Sequence, residues 1–158
     1  MLLTTFTKYG KIANINDLIG SPAGVVGNDS CIFTQSDKLF LTKWLKESGI
    51  SYKWKLSYRG SVDGFSASSF HKCVDRKGAT LIAIRDSLGY TFGGFSSVGW
   101  RGANQYLACD AFLYSLKNPC NIPPFKMSKV KSDRWKESSI YDNPHFGPSF
   151  GEDDLCKL

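Results

Sequence analysis

Several features are missing from this sequence, and each absence removes a class of protein. No apolar run approaches the ~20 residues that a membrane-crossing helix needs, so no helical span is expected. Met1 to Phe6 is apolar, but it has neither the length nor the cleavage pattern of a signal peptide. The five cysteines are Cys31, Cys73, Cys109, Cys120 and Cys156. Their number is odd and no pair has C-x-x-C spacing, which argues against a disulfide scaffold and for a reducing, cytoplasmic compartment. There is no internal repeat and no low-complexity block. No G-x-x-x-x-G-K-[ST] loop, strand-to-helix G-x-G-x-x-G, metal-ligand spacing or Ser/His/Asp arrangement is present.

What remains is an ordinary globular composition with a bias. The chain has 158 residues, enough for one domain, with 42% hydrophobic and 22% charged residues. Aromatics make up 14%, a share that suits pleated sheets. The net charge is +6, yet the basic residues are scattered. The nearest cluster is Lys126, Lys129, Lys131, Arg134 and Lys136. No aromatic platform is interleaved with it, so a solvated face is preferred to a nucleic-acid patch. The charge can still steer the protein towards an acidic partner.

Residues 1–29 read as an N-terminal extension or linker, because Gly20 to Asn28 is rich in small, turn-forming residues. Ser36 is a candidate N-cap for a helix to Ser48, with Leu39, Phe40 and Trp44 on one side and Gly49 ending it. Trp54 to Arg59 alternates and predicts a half-buried strand. Asp63-Gly64 turns the chain. Ser66 caps a second helix with the stripe Phe70, Cys73, Val74, ended by Gly78. Ala79 to Arg85 predicts a strand, and Asp86 to Gly89 a hairpin loop into a second strand, Tyr90 to Ser97. Gly93-Gly94 inside that strand marks a bulge or a close backbone approach. Gly99 to Ala108 reads as loop. Ala111 to Leu116 is a strong strand stopped by Asn118-Pro119, with weaker strands at Phe125 to Val130 and Ser138 to Tyr141.

Certain phrases recur in an order that points to a family. They are Leu56-Ser57-Tyr58-Arg59, Asp63-Gly64-Phe65, Phe70-His71 with Cys73, and Gly78-Ala79-Thr80-Leu81. Gly89-Tyr90-Thr91-Phe92-Gly93-Gly94 with Trp100 follows, then Ala111 to Leu116, Ile140-Tyr141, Phe146 to Gly151 and Asp154-Leu155. No one phrase is specific; the ordered set resembles the TLDc domain of the oxidation-resistance proteins, from about Ser30 to the end. The resemblance implies an α+β, mostly β fold: two antiparallel sheets packed as a sandwich with short edge helices. The alternating short strands suggest a sandwich independently. Such domains continue past the Asp-Leu phrase to a final strand, so residues 30–158 are expected to form a C-terminally incomplete TLDc-like domain. A missing strand leaves an unpaired edge and exposed apolar surface.

Candidate sites are few. His71 stands two residues from Cys73, but i and i+2 side chains on a helix point apart and cannot pair as base and nucleophile. A core Cys73 and a satisfied or surface His71 are the preferred reading. Glu152, Asp153 and Asp154 form an acidic cluster that could bind a cation or transfer protons, although consecutive acids on a terminal loop are usually just solvated. The recurring glycines are read as backbone geometry, and Trp44, Trp54, Phe65, Phe70, Phe92 and Phe112 as core. Among the thiols, Cys120 and Cys156 in loops are the redox candidates, because a sensor thiol must be exposed. Cys73 and Cys109 lie near apolar segments. No catalytic residue, cofactor or metal is assigned. The resemblance implies a non-enzymatic, cytoplasmic interaction domain whose relatives bind the vacuolar proton-pumping ATPase. Oxidative-stress resistance then follows downstream, and redox or weak catalytic chemistry is the alternative.

Overall fold

A computed structural model describes residues 1–11, 32–50, 52–128, 138–151 and 155. The Gly20 to Asn28 stretch, Cys31, Lys129, Lys131, Arg134, Lys136, Glu152, Asp153, Asp154 and Cys156 lie outside the described residues.

The strands are β1 (Leu2–Lys11), β2 (Tyr52–Arg59), β3 (Thr80–Arg85), β4 (Thr91–Ser96), β5 (Gln105–Leu107), β6 (Ala111–Lys117), β7 (Phe125–Ser128) and β8 (Ile140–Asp142). The helices are α1 (Gln35–Glu47), α2 (Gly60–Asp63) and α3 (Ala67–Val74). Among the described residues two antiparallel sheets form, one in the order β2-β1-β3-β4-β6-β7 and one pairing β5 with β8. The fold is α+β and mostly β.

The large sheet is apolar on both faces, because its strands alternate between two clusters. Phe6, Trp54, Leu81, Phe95 and Phe112 join Leu41, Trp44 and Leu45 of α1 on one face. Leu3, Ile82, Tyr58, Phe70, Val74, Trp100, Ile140 and Phe150 form the other cluster, which α3 and the small sheet cover. Each fully buried large side chain contributes about 1.5–3 kcal/mol.

The chain's first residues are not an appendage. Leu2 to Thr7 of β1 pair with Thr80 to Arg85 of β3, while β2 pairs on the other side. Alternation within a short, threonine-rich segment places Leu3 in one cluster and Phe6 in the other.

A bulge in β2 explains how one strand feeds both clusters. Thr5 opposes Tyr58 and Phe6 opposes Leu56, which leaves Ser57 as the extra residue. Its hydroxyl lies 2.7 Å from that of Thr7. Trp54 and Leu56 therefore face α1, and Tyr58 turns to the opposite face. There it meets Phe70 edge-on at 5.6 Å and donates its hydroxyl to the Gly64 carbonyl at 2.9 Å.

Other local expectations are corrected. Thr34, not Ser36, caps α1, since Thr34 and Asp37 make reciprocal bonds of 3.2 and 2.8 Å. The buried stripe of α1 is Leu41, Trp44 and Leu45. Leu39 is 54% exposed, and Phe40, exposed too, tilts its ring 5.7 Å from that of Trp44. Phe65 is also exposed, and Phe92 is half-buried. Gln105 to Leu107, expected as loop, pairs with β8 because Tyr106 and Leu107 find partners in Tyr141 and Ile140. Ser66 caps α3 as expected.

Gly93 is a close approach. An added Cβ there would run into the Ile82 carbonyl oxygen and lie 2.7 Å from the Tyr114 hydroxyl. That space lets Tyr114 cross β4 and donate to the Ile82 oxygen at 2.6 Å. Burial, then the charge of Asp37, raises the Tyr114 phenol well above its ordinary 10.0. Gly93→Ala should cost about 3 kcal/mol, read from the denaturant midpoint. A loss under about 1 kcal/mol would refute the steric account. A raised folded-state phenol pKa gives stability that is full below the unfolded value and lost as pH climbs beyond it. Tyr114→Phe should therefore lose about 1 kcal/mol at neutral pH. It should also flatten the fall in stability above about pH 10, followed by pH-jump unfolding.

Candidate functional site

The most constructed surface lies where the small sheet meets the loop 99–104 and the turn 143–149. In β8, Ile140 and Asp142 point inward and are buried, so Tyr141 points outward. Tyr106 stands directly opposite it in β5, and the two rings stack at 4.6 Å and 28°. Phe146 continues the row, 6.0 Å from Tyr141. Tyr106 is 43% exposed, while Tyr141 and Phe146 are half-buried.

The row is held rigidly from beneath. The Asp142 carboxylate is fully buried and accepts the backbone N–H groups of Arg101, Gly102 and Ala103 at 2.9–3.1 Å. A buried charge survives only when it is so compensated. The Asn143 amide donates to Asn104 Oδ1 at 2.5 Å and to the Tyr141 hydroxyl at 2.8 Å, and that hydroxyl donates to Asn104 Oδ1 at 3.0 Å. Asn143 Oδ1 accepts the His145 N–H at 2.8 Å. Asn104 holds φ 54, a left-handed conformation that asparagine tolerates. Trp100, at the start of the loop, donates to Thr80 Oγ1 at 3.0 Å and packs edge-on against Phe70 and Phe150.

His71 closes the site from the side of α3. Its Nδ1 lies 2.7 Å from Asp75 Oδ1, and its Nε2 lies 3.0 and 3.1 Å from the carbonyl oxygens of Asn143 and Phe146. It is a satisfied histidine bridging helix and turn. Cys73 is half-buried against the second apolar cluster, as is Cys109, whose sulfur sits 3.5 Å from Ser96 Oγ. Cys120 is exposed in the β6–β7 loop. Cys156 and the Glu152, Asp153, Asp154 cluster are outside the described residues. Among the described residues, no three His, Cys, Asp or Glu side chains gather to hold a metal. No helix there is long and apolar enough to cross a membrane. An open groove beside β2 is lined by Leu56, Ser57, Tyr58, Arg59, Val62 and Asp63. Burial, then Asp63 and Cys73, raises the Tyr58 phenol there.

The match to known proteins agrees with this architecture. The model of the TLDc domain fits residues 26–158. The chain belongs to the TLDc family. Its TLDc match begins after β1, although β1 lies inside the sheet. Among curated proteins it is similar to the MTOR-associated protein MEAK7 of Danio rerio, 30% identical over 54% of this chain and 19% of that protein. The MEAK7 of Gallus gallus is 25% identical over 65% of this chain and 22% of that protein. The MEAK7 of Xenopus laevis is 31% identical over 42% and 15%. The matches thus span about a fifth of the length of these relatives.

Sequence reasoning on the TLDc phrases passed through Ile140-Tyr141 and Phe146 to Gly151 without giving them a role. The usable signal was the alternation Ile140-Tyr141-Asp142, with an acid at an inward position. Asp142→Asn replaces one acceptor oxygen by a donor facing N–H groups. It should cost about 2–4 kcal/mol and speed amide exchange at Arg101 to Ala103. Unchanged stability would mean that the carboxylate does not hold the loop.

Proposed function

We propose that this TLDc chain is a non-enzymatic, cytoplasmic protein-interaction domain that docks on the vacuolar proton-pumping ATPase. Oxidative-stress resistance is then an indirect result of that contact. The observation that carries this reading is the partly exposed row Tyr106, Tyr141 and Phe146, preorganised by a buried carboxylate and an asparagine network. Rigid aromatic side chains on a fixed backbone lose little entropy on binding and are typical anchors of protein interfaces. The groups that a reaction would recruit are spent on structure: His71 on backbone carbonyls and Asp142 on backbone amides. The net charge of +6 favours an acidic partner surface. A second reading follows from the relatives, which are MTOR-associated proteins: the partner is an assembly associated with mTOR.

Affinity capture with the purified chain, from reduced cytosolic and vacuolar-membrane lysates, separates these readings. The expected result is enrichment of peripheral-sector ATPase subunits by the wild-type chain. Tyr106→Ala should reduce it about tenfold or more, the effect of losing an interface anchor. Cys120→Ala and Cys156→Ala should leave it intact, and loss of capture there would favour the redox alternative. Recovery of mTOR components in place of the ATPase would support the second reading. A folded bait that captures neither would overturn both.

A further inference from the structure

We propose that His71 is a proton-dependent latch that fixes the segment following α3 against the loop beneath the aromatic row. His71 is 8% exposed, and each of its three polar contacts is an acceptor: the Asp75 carboxylate and the carbonyls of Asn143 and Phe146. All three are made together only when both ring nitrogens carry hydrogen. A neutral ring keeps one side and loses the other. With hydrogen on Nε2, the Nδ1 lone pair faces a carboxylate oxygen at 2.7 Å. With hydrogen on Nδ1, the lone pair faces two carbonyl oxygens.

The side that yields is Asp75. Its side chain is 28% exposed and can turn to water, whereas the two carbonyls are fixed in the turn. Asp75 is also the C-cap residue of α3, where a carboxylate opposes the helix dipole unless a cation offsets it. Beyond it the chain is held in an uncommon conformation. Arg76 has φ 61, a left-handed backbone that a non-glycine residue keeps only when its surroundings enforce it. Its N–H donates to the Trp100 carbonyl at 2.8 Å, joining this segment to the loop that clasps Asp142. Loss of the proton therefore frees Asp75, relaxes Arg76 and loosens the support of the loop 100–103.

The groups around the ring leave the role to one pair. From α3 there is Asp75, with the Phe70 ring edge-on at 5.3 Å. From the turn there are the two carbonyls, while His145 is exposed. From the loop 99–104, Gly102 leaves open the space where an added Cβ would meet Asp75 Oδ2, and Arg101 is exposed. Asp142 of β8 is engaged with the backbone amides.

The test needs no partner, so it is independent of the proposed docking. Nitrogen-15 NMR of the two histidines would be followed from about pH 5 to about pH 8, the range of imidazole titration. Hydrogen exchange at Arg76 and Lys77, corrected for intrinsic rates, would be measured alongside. The acid form of His71 should carry hydrogen on both nitrogens. Protection of Arg76 and Lys77 should drop about tenfold as the ring loses one, the size of one charge-assisted hydrogen bond. Asp75→Asn supplies an amide that donates to the neutral Nδ1, so protection there should become independent of pH. His71→Gln should be equally flat if it folds. Flat wild-type protection through the titration, or a pH dependence that persists in Asp75→Asn, would overturn the proposal.

Discussion

The pairing of β1 with β3 is the contact on which the rest depends. It joins the first residues of the chain to its middle, and it makes β3 an interior strand with both faces buried. Once Leu81 and Ala83 face α1, Ile82 must face α3 and the small sheet, because a strand alternates. Two cores then form on a single sheet, and each recruits its own cover. The cost of bringing distant segments together is loop-closure entropy, which grows only slowly with separation.

Two local devices let this sheet serve both layers. The bulge at Ser57 sends Tyr58 to the face opposite Trp54 and Leu56. The missing side chain at Gly93 lets Tyr114 reach a carbonyl beyond the neighbouring strand. Both are small departures from regular pairing, and both place an aromatic residue with its hydroxyl satisfied. A polar handle on a buried ring needs such a partner.

The second face is also where the molecule invests its buried polarity. Asp142, Asn143, Asn104 and His71 tie three segments together through side-chain bonds to backbone groups and to one another. The result is a fixed geometry for the partly exposed rings above them, which suits the proposed recognition role. The buried histidine ties α3 to the turn 143–149, shortly before Arg76 adopts its left-handed backbone.

Local chemistry made much of the fold legible in the residues. The Ser66 cap, the Asp86 to Gly89 hairpin and the strands around Leu81, Phe95 and Leu113 follow from spacing and turn residues, and the structure has them. The ordered set of short phrases from Leu56-Ser57-Tyr58-Arg59 to Asp154-Leu155 resembles the TLDc domain, and the family match bears that out. Less could be read where distant segments decide the outcome. Leu2 to Lys11 looked like the start of an extension, since nothing local says that a strand lies inside a sheet. Leu39 looked as apolar as Leu41, and only the position of the sheet chose which was buried. His71 and Asp142 acquired their meaning from carbonyls and amides some 40 to 75 residues away. The sequence by itself determined the local elements and the family, because these rest on short-range sterics and pattern. Tertiary structure alone decided which surface is built and what holds it, because those depend on groups that only folding brings together.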